Sequence, residues 1–135
     1  MTLLKEELDP QSLYDRISGT FWQKCGNAAP EALEVSQYGT RLRLSIYGLE
    51  DKLKHGPWEC QLQQPAPSMR ASEIVVRTDR HQRWDHYAWV YINAEDELVM
   101  SQGLEVRTFR QISRDTFVSL LVDRWFGVKS FRGTP

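Results

Sequence analysis

The chain has 135 residues, and its 17 Lys and Arg against 18 Asp and Glu give a formal net charge of −1 at pH 7. This length fits one ordinary domain with a single hydrophobic core. The balanced charge argues against a dedicated duplex-DNA binder and against a polybasic membrane-binding protein. The two cysteines, Cys25 and Cys60, are too few for a disulfide scaffold.

We also expect neither a membrane helix nor a secretory signal. No stretch approaches the roughly 18 apolar residues that a membrane helix needs. Met1 is followed closely by Lys5 and Glu6 rather than by an apolar segment, so no secretory signal is visible. We therefore expect a soluble cytoplasmic protein with reduced thiols, with no membrane partner and no cofactor.

The first predicted element is a helix over about Pro10–Ser18. Asp9 is typical of an N-cap, and proline suits the first helical position. Leu8 and Leu13 flank the cap and can pack together as a hydrophobic staple. Gly19 then ends the helix.

A two-residue hydrophobic period dominates the middle of the chain and predicts antiparallel strands. It is clearest at Thr40–Tyr47, where leucine and isoleucine alternate with polar side chains. The other early strands are predicted at Ala32–Tyr38, Trp58–Gln63 and Glu73–Thr78. The segment Leu49–His55 is compatible with one helical turn, ended by Gly56-Pro57.

The later elements are a long hairpin and a final helix. Arg83–Asn93 is rich in Trp, Tyr, Val and Ile and is the strongest strand candidate. It turns at Ala94–Asp96 into a second strand that runs from Glu97 to about Gln111, with a β-bulge at Gly103. The final helix covers about Arg114–Phe126. Ser113 is its N-cap and Gly127 its C-cap, and its apolar face consists of Phe117, Leu120, Leu121 and Trp125.

These elements predict an α+β fold. It is a single curved antiparallel β-sheet of five to six strands, with an N-terminal and a C-terminal helix packed on one face. Residues 1–135 then form one domain, with helix at 1–19, sheet at 32–111 and helix at 113–127. The connections are too short for parallel crossovers.

The strand over Arg83–Asn93 gives the main functional hypothesis. By strict alternation, Trp84, His86, Ala88, Val90 and Ile92 share one face, and Asp85, Tyr87, Trp89 and Tyr91 share the other. The aromatic face fits three interpretations: a core packed on both sides, a concave ligand pocket, or a partner surface.

We favour the pocket, as the site of a small binding protein for an apolar or planar ligand, with room for one anionic group. The expected ligand-binding residues come from this strand and from the strand paired with it: Trp84, His86, Tyr87, Trp89, Tyr91, Arg107 and Arg110. A homodimer that uses the aromatic sheet face is the first alternative.

A second alternative is a small enzyme of the hydrolase or lyase type. His86 would be its general base, with Asp85 or Glu105 as the orienting carboxylate. His81, His86, His55 and Cys60 match no zinc-binding pattern, so we expect no metal site.

A basic cluster permits a third, weaker alternative. Arg70, Arg77, Arg80 and Arg83 precede Trp84 and Tyr87, a combination of residues that also occurs in single-stranded nucleic-acid sites. The near-zero net charge instead favours a solvated strand edge, so we expect no nucleic-acid partner.

Overall fold

The computed structural model describes residues 10–26, 29–64, 71–77 and 83–125. These residues form two helices and eight strands. In chain order they are α1 (Pro10–Ile17), β1 (Thr20–Lys24), β2 (Glu31–Tyr38), β3 (Arg41–Gly48), β4 (Lys54–Gln63), β5 (Ser72–Arg77), β6 (Asp85–Ile92), β7 (Leu98–Gln102), β8 (Glu105–Ile112) and α2 (Arg114–Arg124).

The strands form a closed antiparallel barrel in which each strand pairs with its neighbours in sequence. The barrel closes because β1 also pairs with β8, through partners such as Gln23 and Arg110. The predicted open sheet of five to six strands is therefore wrong. The prediction missed β1 and read β7 and β8 as one strand, which left too few strands for closure.

The β7–β8 turn explains why these two strands were predicted as one. Gly103 has a positive φ of 61°, a backbone conformation that glycine adopts without steric cost. Gln102 and Glu105 are paired on either side of it, so the chain reverses in a tight turn rather than passing through a bulge. The sequence between Glu97 and Gln111 therefore contributes two barrel strands.

The helical turn expected over Leu49–His55 is wrong, because the chain turns directly after β3 and β4 already begins at Lys54, with a β-bulge two residues further on. Leu44 pairs with Trp58 and Ile46 pairs with His55, so Gly56 and Pro57 together lie opposite Ser45 and β4 contains one extra residue. Gly56 has a φ of 92°, and a Cβ atom there would collide with the Leu44 carbonyl oxygen. Glycine is therefore required at this bulge for both conformation and space.

The first helix contributes directly to the barrel core. Leu13 and Ile17 are buried in the same cluster as the inward-facing strand residues, among which Trp22 and Phe109 are the largest. Arg16 pairs with Asp96 in the β6–β7 turn at 3.1 Å, which places α1 at the barrel end that carries this turn. Leu8 and Asp9, the expected staple and cap, lie outside the described residues.

The second helix packs on the outer surface instead. Its predicted apolar face is confirmed, because Phe117, Leu120, Leu121 and Trp125 form a separate cluster with strand residues. The predicted N-cap is confirmed as well, since the Ser113 hydroxyl accepts a hydrogen bond from the Thr116 N–H at 3.1 Å. The prediction that both helices share one face of a sheet is wrong, because α1 lies at a barrel end and α2 on the barrel wall. Gly127, the expected C-cap, lies outside the described residues.

Candidate functional site

A β-bulge in β6 changes which of its side chains face the barrel interior. Ile74 pairs with Ala88 and Val75 pairs with His86, so Tyr87 has no partner opposite it. Ala88 and Tyr87 both pack toward the core cluster, and the alternation reverses between them. The predicted aromatic face is therefore divided, with Tyr87 inside the barrel and Trp89 on its outer side.

The barrel interior is apolar near α1 and polar at the opposite end. Several side chains on the inward-facing rows of the strands meet at this opposite end, which we call the barrel mouth: Glu31, His55, Trp58, Tyr87, Gln102 and Arg107. The barrel mouth is thus a polar and aromatic layer above an apolar base.

Arg107 is the central polar group of the barrel mouth. It faces inward because it alternates with Phe109 and pairs with Met100, both of which are fully buried. Its own side chain is 7 % exposed. Nη1 donates a hydrogen bond to Glu31 Oε1 at 2.7 Å, and Nη2 donates one to Gln102 Oε1 at 2.9 Å. Among the described residues, Nε has no hydrogen-bond partner.

Two aromatic rings meet in the same layer of the barrel interior. Trp58 and Tyr87 meet edge to face, with ring centroids 5.5 Å apart, and both pack against the core cluster. The Tyr87 hydroxyl also contacts the Arg107 guanidinium. Burial raises the pKa of Tyr87, although the arginine opposes the shift, so the hydroxyl is neutral near pH 7 and can donate a hydrogen bond.

The pKa of Arg107 reflects the same contacts. Burial alone would lower the pKa of Arg107. The contacts with Tyr87 and Glu31 raise it by more than burial lowers it, so the net shift is upward. Arg107 is therefore a permanent cation whose charge is only partly enclosed by protein acceptors.

The remaining expected ligand-binding residues do not join the barrel mouth. His86 lies on the outer side, 44 % exposed, with Nδ1 2.6 Å from Glu73 Oε2. Its ring also contacts Trp89, at a centroid distance of 5.2 Å. Tyr91 is 40 % exposed, and Arg110 is exposed on β8. The structure brings together Tyr87 and Arg107 and leaves the others outside the barrel.

The candidate catalytic residues are also separated. His86 pairs with Glu73, whereas Asp85 pairs with Arg83 at 3.2 Å. Glu105 begins β8 at the turn that follows Gln102. The hydrogen bond from Gln63 and the contact with His86 lower the pKa of Glu73. These contacts define a His86–Glu73 pair on the outer side rather than a His86–Asp85 or His86–Glu105 pair.

Part of the predicted basic cluster forms a network on the outer wall. Glu59 bridges Arg77 and Arg41, the latter at 3.0 Å. The guanidinium groups of both arginines lie over the Trp84 ring, 5.0 and 5.5 Å from its centroid. Both cations are thus engaged by an acidic partner. Arg70 and Arg80 lie outside the described residues, as does His81.

The residues that the structure describes contain no group of three or more His, Cys, Asp or Glu that could hold a metal ion. Neither described helix is long and apolar enough to cross a bilayer. A cleft of about 300 Å³ lies at the α1 end, where Tyr14 and Leu62 are among its lining residues. It contains none of the residues that the sequence singled out for a site.

Sequence reasoning missed Trp58, Glu31 and Gln102. A signal for Trp58 was available, because Trp58, Cys60 and Leu62 alternate along one strand and so share a face. Glu31 and Gln102 offered none, since their position at the barrel mouth depends on closure of the barrel.

Fold and site together define a closed eight-stranded, up-and-down antiparallel β-barrel with a helix at one end and a buried arginine at the other. Comparison with protein-family models, with curated proteins and with solved structures finds no match for this chain.

Proposed function

We propose that this protein binds one small apolar or planar molecule at the barrel mouth. The observation that carries the proposal is the Trp58–Tyr87 pair, which meets inside the barrel next to the Arg107 network. Ligand sites combine apolar and aromatic walls with a few convergent polar groups, and this layer has that composition.

The packing of the barrel limits the size of the ligand. A barrel of eight strands has an interior that is either filled by side chains or just wide enough for one small ligand. Trp22 and Phe109 are fully buried and fill the half near α1. Trp58 and Tyr87 are only partly buried. The ligand therefore lies above this apolar base, in contact with the two aromatic rings.

Binding of N-phenyl-1-naphthylamine tests the proposal, because this neutral planar fluorophore brightens in apolar surroundings. We expect saturable enhancement with the wild-type protein and about tenfold weaker binding by Trp58→Leu, which removes an aromatic wall. Trp89→Leu is the matched control, since Trp89 lies on the outer side of β6. Circular dichroism verifies that both variants are folded. Equal affinities for the two variants, or no saturable binding by the wild type, would refute the proposal.

The outer wall of β6–β8 favours a second candidate function, homodimerisation. Tyr91 is 40 % exposed and Val106 is 63 % exposed on this wall. Trp89 shares this wall, since it pairs with Ser101, which in turn pairs with Val106. Sedimentation velocity at micromolar concentration would show a dimer that Tyr91→Arg dissociates. A wild-type monomer at all concentrations tested would exclude this interface.

A further inference from the structure

The hydrogen-bond geometry at Arg107 indicates the chemical class of the ligand. A guanidinium carries five N–H donors in a planar fork, and its strongest partner is a carboxylate that receives two parallel hydrogen bonds. Nη1 donates one hydrogen bond to Glu31, while Nε has no acceptor among the described residues. The donor set is thus incompletely used, although the side chain is 93 % removed from solvent on the basis of its 7 % exposure.

Glu31 is the group that a ligand would replace in order to reach the Arg107 guanidinium. Glu31 is the first residue of β2, and its side chain is 22 % exposed, three times the 7 % of Arg107. Glu31 is therefore the more solvent-accessible member of the pair. A buried cation still needs an anionic partner, so Glu31 can leave only when another anion replaces it.

We propose that the ligand carries a carboxylate, and that this group replaces Glu31 as the ion-pair partner of Arg107. The inference rests on the proposed function, because the apolar or planar part of the ligand occupies the space beside Trp58 and Tyr87. Glu31 is then the internal competitor of the ligand. It keeps Arg107 neutralised when the ligand is absent and weakens binding by the cost of its displacement.

The single charge of Arg107 favours a monoanion. A carboxylate has the charge and the planar shape of the group that it replaces, whereas a doubly charged phosphate would leave one charge without a partner. Gln102 and the Tyr87 hydroxyl remain within reach to support the incoming group, as they already contact the guanidinium.

The test compares 2-naphthylacetate with 2-naphthylacetamide, which share shape and differ in charge. Each is titrated against bound N-phenyl-1-naphthylamine near neutral pH. We expect wild-type protein to prefer the carboxylate by about tenfold or more, since hydrogen bonds to charged groups are the stronger ones. Glu31→Gln should bind the carboxylate about tenfold more tightly than wild type, because the competing charge is gone.

Two further variants keep the test decisive if Glu31→Gln does not fold. The double variant Glu31→Gln/Arg107→Gln removes both charges together, a change that leaves no unpaired buried ion. It should bind both naphthyl probes equally and retain the neutral fluorophore. Arg110→Gln, on the same strand but outside the barrel, should keep the wild-type preference.

The outcomes separate this inference from the proposed function. Retained fluorophore binding with no preference for the carboxylate in the wild type would overturn the inference and leave the proposed function standing. A preference that survives in the double variant would overturn it as well. Absence of fluorophore binding to the wild type would remove the proposed function itself.

Discussion

Glu59 shows how a single side chain can organise the outer wall of the barrel. It accepts hydrogen bonds from Arg77 and Arg41, and both guanidinium groups lie over Trp84, the residue before β6. The hydrogen bond from Arg77 is the main reason that the pKa of Glu59 lies below 4.5, its ordinary value. The carboxylate is thus more easily ionised in the folded chain than in the unfolded chain.

This shift predicts an acid-dependent contribution to stability. A carboxylate with a lowered folded pKa stabilises the fold fully above its unfolded pKa and loses that effect as the pH falls through the folded value. The melting temperature of wild type should therefore exceed that of Glu59→Gln near neutral pH, and the difference should shrink as the pH falls below about 4. Thermal unfolding followed by circular dichroism at several pH values measures it. A difference that stays constant down to about pH 2 would contradict the assigned role of ionisation.

At the scale of elements, the bulge in β6 determines which of its aromatic rings enters the site. The β6 bulge at Tyr87 turns this ring inward, and the β4 bulge at Gly56 and Pro57 precedes Trp58. The two rings then meet across the interior. Without the β6 bulge, strict alternation with Ala88 would turn Tyr87 outward, whereas Trp58 faces inward through its regular alternation with Cys60 and Leu62.

The β4 bulge depends on glycine in a way that a substitution can measure. Gly56→Ala would place a Cβ atom against the Leu44 carbonyl oxygen and would also strain a φ of 92°. Gly39→Ala imposes a similar backbone strain, at a φ of 61°, but no atom lies within 4 Å of the added Cβ. We expect a cost of about 1 kcal/mol for Gly39→Ala and of about 3 kcal/mol for Gly56→Ala. Urea unfolding gives both values, and equal costs would show that the collision is relieved.

The sequence predicted those elements whose signals are local. The cap at Ser113, the apolar face of α2 and the alternation over β3 were all predicted, because each depends on neighbouring residues. Arg107 and Tyr87 were chosen for the site by residue type. The bulge at Tyr87 was not predictable, because it is defined by pairing with β5. Nor was the Arg107–Glu31 pair, which joins residues 76 positions apart.

For the whole molecule, closure of the barrel gives every strand two neighbours and one face toward a common interior. An open sheet has two edge strands, on which proline is tolerated, whereas a closed barrel has no edge. Closure also gives the chain an interior with two ends. One end receives Leu13 and Ile17 of α1, and the other holds the polar groups around Arg107. The candidate site is therefore a consequence of topology rather than of any local motif.

Closure itself can be tested at Gln23, a β1 residue that pairs with both Ala32 and Arg110. Gln23→Pro removes a backbone N–H between two neighbouring strands and leaves an acceptor without its partner, at a cost of about 1–3 kcal/mol before any steric clash. Gln23→Ala shortens the same side chain but keeps the N–H, so it controls for side-chain loss. We expect Gln23→Pro to melt well below Gln23→Ala in thermal unfolding, because β1 connects β8 to β2. If the two variants melted together, β1 would behave as a dispensable edge and the barrel would not be closed in solution.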